Sequence, residues 1–210
     1  ATRGAGGRYL IQHSAGSGKT KTIAWLAHRA GRVIDDAGTP VFDSVIVVTD
    51  RTVLDENIKE GLDLLRASEG LVVNVDNELG SKSKTLEAAL TRGGHIISCT
   101  IQTFPALAKM MEKSPALAGR NYCVIMDEAH SSQHGEAATR LREILVDVDM
   151  PDGDDISSDD VLLAMDKAVA NSPNLSFIAL TATPKAKTLA AYGMVDPNNP
   201  DKRVAFDTYE

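Results

Sequence analysis

Aromatic side chains are scarce, at 4% of the chain with one Trp, four Tyr and four Phe. That excludes the stacking platform on which single-strand nucleic-acid binders lay successive bases. There are only two cysteines, Cys99 and Cys123, each inside an apolar stretch. Such a pair reads as reduced, buried thiols and not as a disulfide framework. No apolar run approaches the ~20 residues that span a bilayer, and no basic start followed by an apolar segment suggests export. The expectation is therefore a cytoplasmic protein with no membrane partner. Positive charge is also short: the formal net charge is −7 and the pI about 5.2. This excludes a domain that coats DNA with a wholly basic surface and leaves room only for a local basic strip. What is present is ordinary, 43% hydrophobic and 24% charged in 210 residues. A chain of that length buries roughly 70% of its unfolded surface and needs no covalent staple.

Apolar runs of strand length alternate with helical patterns. The strand candidates are 8–12, 44–49, 71–75, 95–100, 122–126 and 175–180, and the helix candidates 19–36, 52–67, 83–91, 104–113, 136–146 and 159–170. This rhythm predicts an α/β fold, a doubly wound and mainly parallel sheet with helices on both faces and ligands beyond the carboxyl ends of the strands. Trp25 and Phe42 lie in apolar patterns and read as core. The stretch 147–160 holds seven Asp and reads as an acidic loop; it misses the EF-hand spacing and has no Glu at the bidentate position. Residues 1–190 read as one lobe and 191–210 as a hinge leading out of it. The abrupt start and end read as cuts through a longer protein.

Three stretches carry chemistry. The first is HSAGSGKT, where a strand runs through small residues into a helix. Ser14, Ala15, Gly16, Ser17 and Gly18 let backbone N–H groups point at phosphate oxygens, and the helix start adds its positive dipole end. Lys19 would reach the β/γ-phosphates of ATP and Thr20 would offer its hydroxyl to Mg²⁺. The strict pattern has Gly where His13 stands. The second stretch is YCVIMDEAH, an apolar strand ending in two carboxylates. Asp127 would hold Mg²⁺ through water, Glu128 would polarise the water that attacks the γ-phosphate, and His130 would couple this site to the next strand. The third is FIALTATP, where the hydroxyls of Thr181 and Thr183 can hydrogen-bond the neighbouring carboxylates; an ordinary helix cap is the plain alternative.

In this order the three blocks resemble motifs I, II and III of the first RecA-like lobe of superfamily 2 helicases and translocases. Two further segments fit that family's DNA-contacting motifs: VVTDRTVLD, with Arg51 and Thr52, and TIQTF, with Gln102 and Thr103. Polar side chains of this kind suit phosphate-backbone contacts, which position a protein without reading sequence. Lys21, Arg51 and Lys185 are the nearest cations to the motifs. RYLIQHSAGSGKTKTIAWLAHRA, the TDR of 49–51, TIQTF, DEAHSSQ and FIALTATP together resemble the motor region of the R subunit of type I restriction-modification enzymes.

The resemblance implies an ATP- and Mg²⁺-dependent translocase of duplex DNA. It implies partnership with modification and specificity subunits, a second RecA-like lobe and a separate nuclease domain. The chain contains no Glu-x-Lys, so the nuclease motif is not within it. Nor are the second lobe's arginine-bearing motifs, so the isolated chain is expected to be catalytically inert. The alternatives are another superfamily 2 DNA or RNA helicase or remodeller, or a nucleotide-binding module with no motor.

Overall fold

The computed structural model describes residues 5–14, 17–49, 72–75, 87, 90–93, 95–100, 104–127, 174–184 and 186–209. The expected helices at 52–67, 136–146 and 159–170, most of 83–91, and the acidic stretch 147–160 lie outside the described residues.

Strands form where the apolar runs stand: β1 (Arg8–His13), β2 (Ser44–Thr49), β3 (Val72–Val75), β4 (His95–Thr100), β5 (Tyr122–Asp127) and β6 (Leu175–Thr181). They are followed by β7 (Met194–Asp196), β8 (Asn199–Val204) and β9 (Asp207–Tyr209). Seven strands make one sheet in the order β3-β4-β2-β5-β6-β1-β9, and all of its paired neighbours run parallel. β7 and β8 form a separate antiparallel pair. The doubly wound, parallel α/β class expected from the sequence is the one found.

Successive side chains of a strand point to opposite faces, and this divides the core in two. Leu10, Ile46, Val48, Ile97, Cys99, Val124, Met126, Phe177 and Ala179 pack on one face with Phe104, Leu107 and Met111 of α2 (Phe104–Lys113). Phe104 meets Phe177 edge to face, with ring centres 6.3 Å apart. On the other face Val45, Val47, Cys123, Ile125 and Leu180 pack with Ile23, Ala24, Ala27 and Ala30 of α1 (Lys19–Ala30). Cys99 and Cys123 are thus buried on opposite faces, which keeps both thiols free.

Two expectations need correction. Trp25 is not core but 67% exposed. The helix lays its small residues Ala24, Ala27 and Ala30 on the sheet, and Trp25 projects on the outer face with Lys21 and Arg29, which are also exposed. Phe42 does pack against the α1-side core, half-buried. The first helix also ends at Ala30 instead of continuing to residue 36. The Asp35 carboxylate accepts the N–H groups of Ala37 at 2.9 Å and Thr39 at 2.8 Å, Gly38 takes φ 81, and Val41 N–H donates to the Val33 carbonyl at 2.8 Å. This Asx-type turn competes directly with helix continuation.

At the amino ends of the strands the frame is stitched by polar contacts. Asp43 pairs with Arg120 at 3.5 Å and accepts the Asn121 N–H at 2.9 Å, and Asn174 Nδ2 donates to the Arg120 carbonyl at 2.5 Å. The carboxyl ends are left for chemistry. The stretch 191–210, read as a hinge, completes α3 (Ala186–Tyr192) and carries the hairpin and β9, which pairs with β1 through Ile11, Gln12 and His13. Tyr9 and Phe206 meet edge to face at 5.4 Å, and the Phe206 N–H donates to the Leu10 carbonyl at 2.7 Å.

Candidate active site

β1 ends at His13 and α1 begins at Lys19, so the small-residue loop joins a strand end to a helix start as its composition requires. Gly18 is the N-cap, with φ 90 and ψ 24, in the left-handed region that a Cβ disfavours by about 1–2 kcal/mol. It makes no side-chain cap bond, and the first turn of α1 holds no acidic residue. The first intrahelical bond runs from the Thr22 N–H to the Gly18 carbonyl at 3.1 Å. A helix start of this kind presents N–H groups and a positive dipole end to an anion.

Lys19 and Asp127 belong to different elements, and the sheet order brings them together. β6 is the single strand between β1 and β5. Asp127, opposite Leu180 in register, faces the α1 side as Leu180 does. The ammonium of Lys19 lies 3.9 Å from Asp127 Oδ1, with side chains 16% and 15% exposed. At that separation the attraction is coulombic, without a direct hydrogen bond. The site therefore offers a cation suited to phosphate next to a carboxylate suited to a divalent cation, with the Thr20 hydroxyl in the first turn of α1.

The remaining expected residues fall into three groups. Ser14, Ser17 and Gly18 stand between the end of β1 and the start of α1, and Ser17 Oγ donates to the Ser14 carbonyl at 2.6 Å. Thr181 is fully buried, and its hydroxyl accepts the Thr183 N–H at 3.3 Å. One residue beyond Leu180, it faces away from the Asp127 side, so among the described residues it does not join the carboxylate. Ala15, Gly16, Arg51, Thr52, Gln102, Thr103, Glu128, His130 and Lys185 lie outside the described residues. The strands that lead into 50–52 and 101–103 do end side by side, Thr49 opposite Thr100.

Two features escaped sequence reasoning. Thr49 is 3% exposed, and its hydroxyl has no hydrogen-bond partner among the described residues. It stands one residue past the Val48–Met126 pair, beside Asp127. The other is the ring of His13, bonded on both sides of the loop. Its signal was the departure from glycine itself, with Ser and Thr four and nine residues on.

A parallel sheet with a glycine loop entering α1 and a carboxylate two strands away defines a P-loop ATPase lobe of RecA-like fold. The chain belongs to the SWI2/SNF2 ATPase family, whose model matches residues 3–151. It is also 28% identical over 184 residues to a Methanocaldococcus jannaschii protein provisionally named a type I restriction enzyme MjaIXP endonuclease subunit. The match covers 83% of this chain and 13% of that relative's length. Both agree with the resemblance to the motor region of type I restriction R subunits. Among the described residues no helix is long and apolar enough to cross a membrane.

Proposed function

We propose that this chain is the ATP-binding first motor lobe of a type I restriction enzyme R subunit. In this reading it is part of an ATP-dependent translocase of duplex DNA that supports cleavage by a nuclease domain outside these residues. The observation that carries the nucleotide site is the approach of Lys19 to Asp127 across the end of β6. The loop 14–18 and the start of α1 hold the phosphates, Lys19 neutralises their charge, and Thr20 and Asp127 hold Mg²⁺. When bound, Mg²⁺ offsets charge developing on the phosphates as the terminal bond breaks. Glu128, next after Asp127, orients and polarises the attacking water. Arg51, Thr52, Gln102 and Thr103 follow the adjacent ends of β2 and β4 and contact the DNA backbone. The modification and specificity subunits supply sequence recognition.

Lys19→Ala in the whole R subunit is expected to abolish or severely weaken ATP binding by calorimetry. Glu128→Gln is expected to keep ATP bound while slowing turnover by about 10² or more. Unchanged affinity in the first variant, or near-normal turnover in the second, overturns the assignment. The family match also favours a second reading, the motor of another SWI2/SNF2 duplex translocase such as a remodeller. Assaying ATP-dependent DNA cleavage with and without modification and specificity subunits separates the two.

A further inference from the structure

His13 occupies the position at which a strict phosphate-loop pattern has glycine. It ends β1, is 1% exposed, and lies on the α1 side of the sheet. Its Nδ1 is 2.6 Å from Ser17 Oγ, and its Nε2 is 2.9 Å from Thr22 Oγ1. One ring thus ties the strand end to the loop and to the helix that follows. The donor role of each hydroxyl, read from its shortest contacts, points to one tautomer. Ser17 Oγ donates its single proton to the Ser14 carbonyl at 2.6 Å, so toward the ring it accepts, and Nδ1 carries the hydrogen. In the neutral ring Nε2 then accepts. The Thr22 hydroxyl gives it its proton at 2.9 Å in preference to the Gly18 carbonyl at 3.4 Å.

We propose that His13 is a positioning residue for nucleotide binding, its Nδ1–H tautomer bracing Ser17 and the first turn of α1 so that this end of the loop is set before nucleotide arrives. The inference rests on reading 14–20 as the nucleotide loop. A loop holding Gly16 and Gly18 has much backbone freedom to lose when a ligand orders it. A buried ring bonded to Ser17 and to Thr22 shifts that ordering from binding to folding, which raises affinity by preorganisation. A ring that served only to fill space would need neither bond.

The test is calorimetry with Mg²⁺-ADP on the whole protein carrying His13→Ala, Ser17→Ala, Thr22→Val or the double variant His13→Ala/Ser17→Ala. His13→Ala is expected to raise Kd about tenfold. The double variant should lose less than the sum of the two single losses, because both remove one shared bond while each also loses one of its own, His13 to Thr22 and Ser17 to the Ser14 carbonyl. His13→Asn, which can still offer an N–H near the Nδ1 position, should recover part of the loss. KM for ATP should rise in step while kcat stays within about twofold. Ring ¹⁵N shifts of the wild type should place the proton on Nδ1. Unchanged affinity in His13→Ala and Thr22→Val while Lys19→Ala abolishes binding overturns the positioning role and leaves the nucleotide site standing. If Lys19→Ala also binds normally, both fall. Additive effects in the double variant, or a proton on Nε2, overturn it as well. Should His13→Ala fail to fold, Ser17→Ala and Thr22→Val keep the ring in place and decide the question: weakened affinity in both supports the brace, and unchanged affinity in both overturns it.

Discussion

Burial of Cys99 and Cys123 changes their chemistry as well as their packing. Desolvation pushes the Cys123 thiol up to about 12 and the Cys99 thiol up further, because a thiolate has no solvation inside the apolar layers. In the unfolded chain both lose a proton near the ordinary value of 9.0. Above that pH the unfolded state binds fewer protons than the folded one, so stability falls as pH rises; below it the contribution is fully present. Each thiol is expected to remove about 1.4 kcal/mol per pH unit above 9. The urea midpoint should be flat from pH 7 to 8.5 and then decline. Tyr122, also pushed up to about 12 by burial, joins only beyond its ordinary value of 10.0. A midpoint that holds level through pH 10 contradicts the buried-thiol account. So does rapid alkylation of the native protein at pH 8.

Elements whose residues alternate or repeat cleanly were legible; those built from polar residues were not. SVIVVT and YCVIMD are buried along nearly their whole length and read as central strands at once. β8, NPDKRV, is exposed over five of its six residues, so no apolar pattern marks it, and the hairpin went unseen. Its docking depends on Gly193, which bonds its N–H to the Leu189 carbonyl at 2.8 Å. A Cβ there would overlap that carbonyl oxygen and stand 3.0 Å from the Val204 carbonyl oxygen. Gly193→Ala should therefore destabilise by about 2–4 kcal/mol, read as a lowered Tm, since backbone oxygens cannot turn aside as side chains do. An unaltered Tm would show that α3 and the hairpin move apart freely. The indole of Trp25 carries a complementary lesson. Helical spacing showed that it lies in an apolar pattern, yet Ala24 and Ala27 took the sheet-facing places.

For the molecule as a whole, the proposed nucleotide site is one-sided among the described residues. Its charge-stabilising groups come from the ends of β1 and β5 and the start of α1. In phosphoryl transfer an arginine finger adds ~10³ to 10⁵ in rate, and the resemblance to superfamily 2 motors assigns that finger to a second lobe. Residues 1–210 by themselves are accordingly expected to bind Mg²⁺-ATP weakly, turn it over negligibly and show no stimulation by duplex DNA. At a net charge of −7 the association with DNA should be weak and salt-sensitive. A steady-state ATPase assay with and without duplex decides it: robust DNA-stimulated turnover lost in Lys19→Ala would refute the dependence on a second lobe.

The sequence by itself determined the α/β class, the phosphate loop and the strand that ends at Asp127. Each is a local pattern, a run of apolar residues or small residues with a lysine at fixed spacing, and local patterns survive without knowledge of partners. Only the tertiary structure decided which distant residues meet. That Lys19 lies 3.9 Å from Asp127 follows from β6 standing between β1 and β5. That Thr181 turns from Asp127 follows from the side-chain period of two across a register no sequence states. The last strand pairs with β1 despite an unmarked sequence, because an edge of unpaired backbone groups accepts any extended segment that reaches it. His13, finally, became more than a departure from glycine once the fold set Ser17 and Thr22 against its two nitrogens.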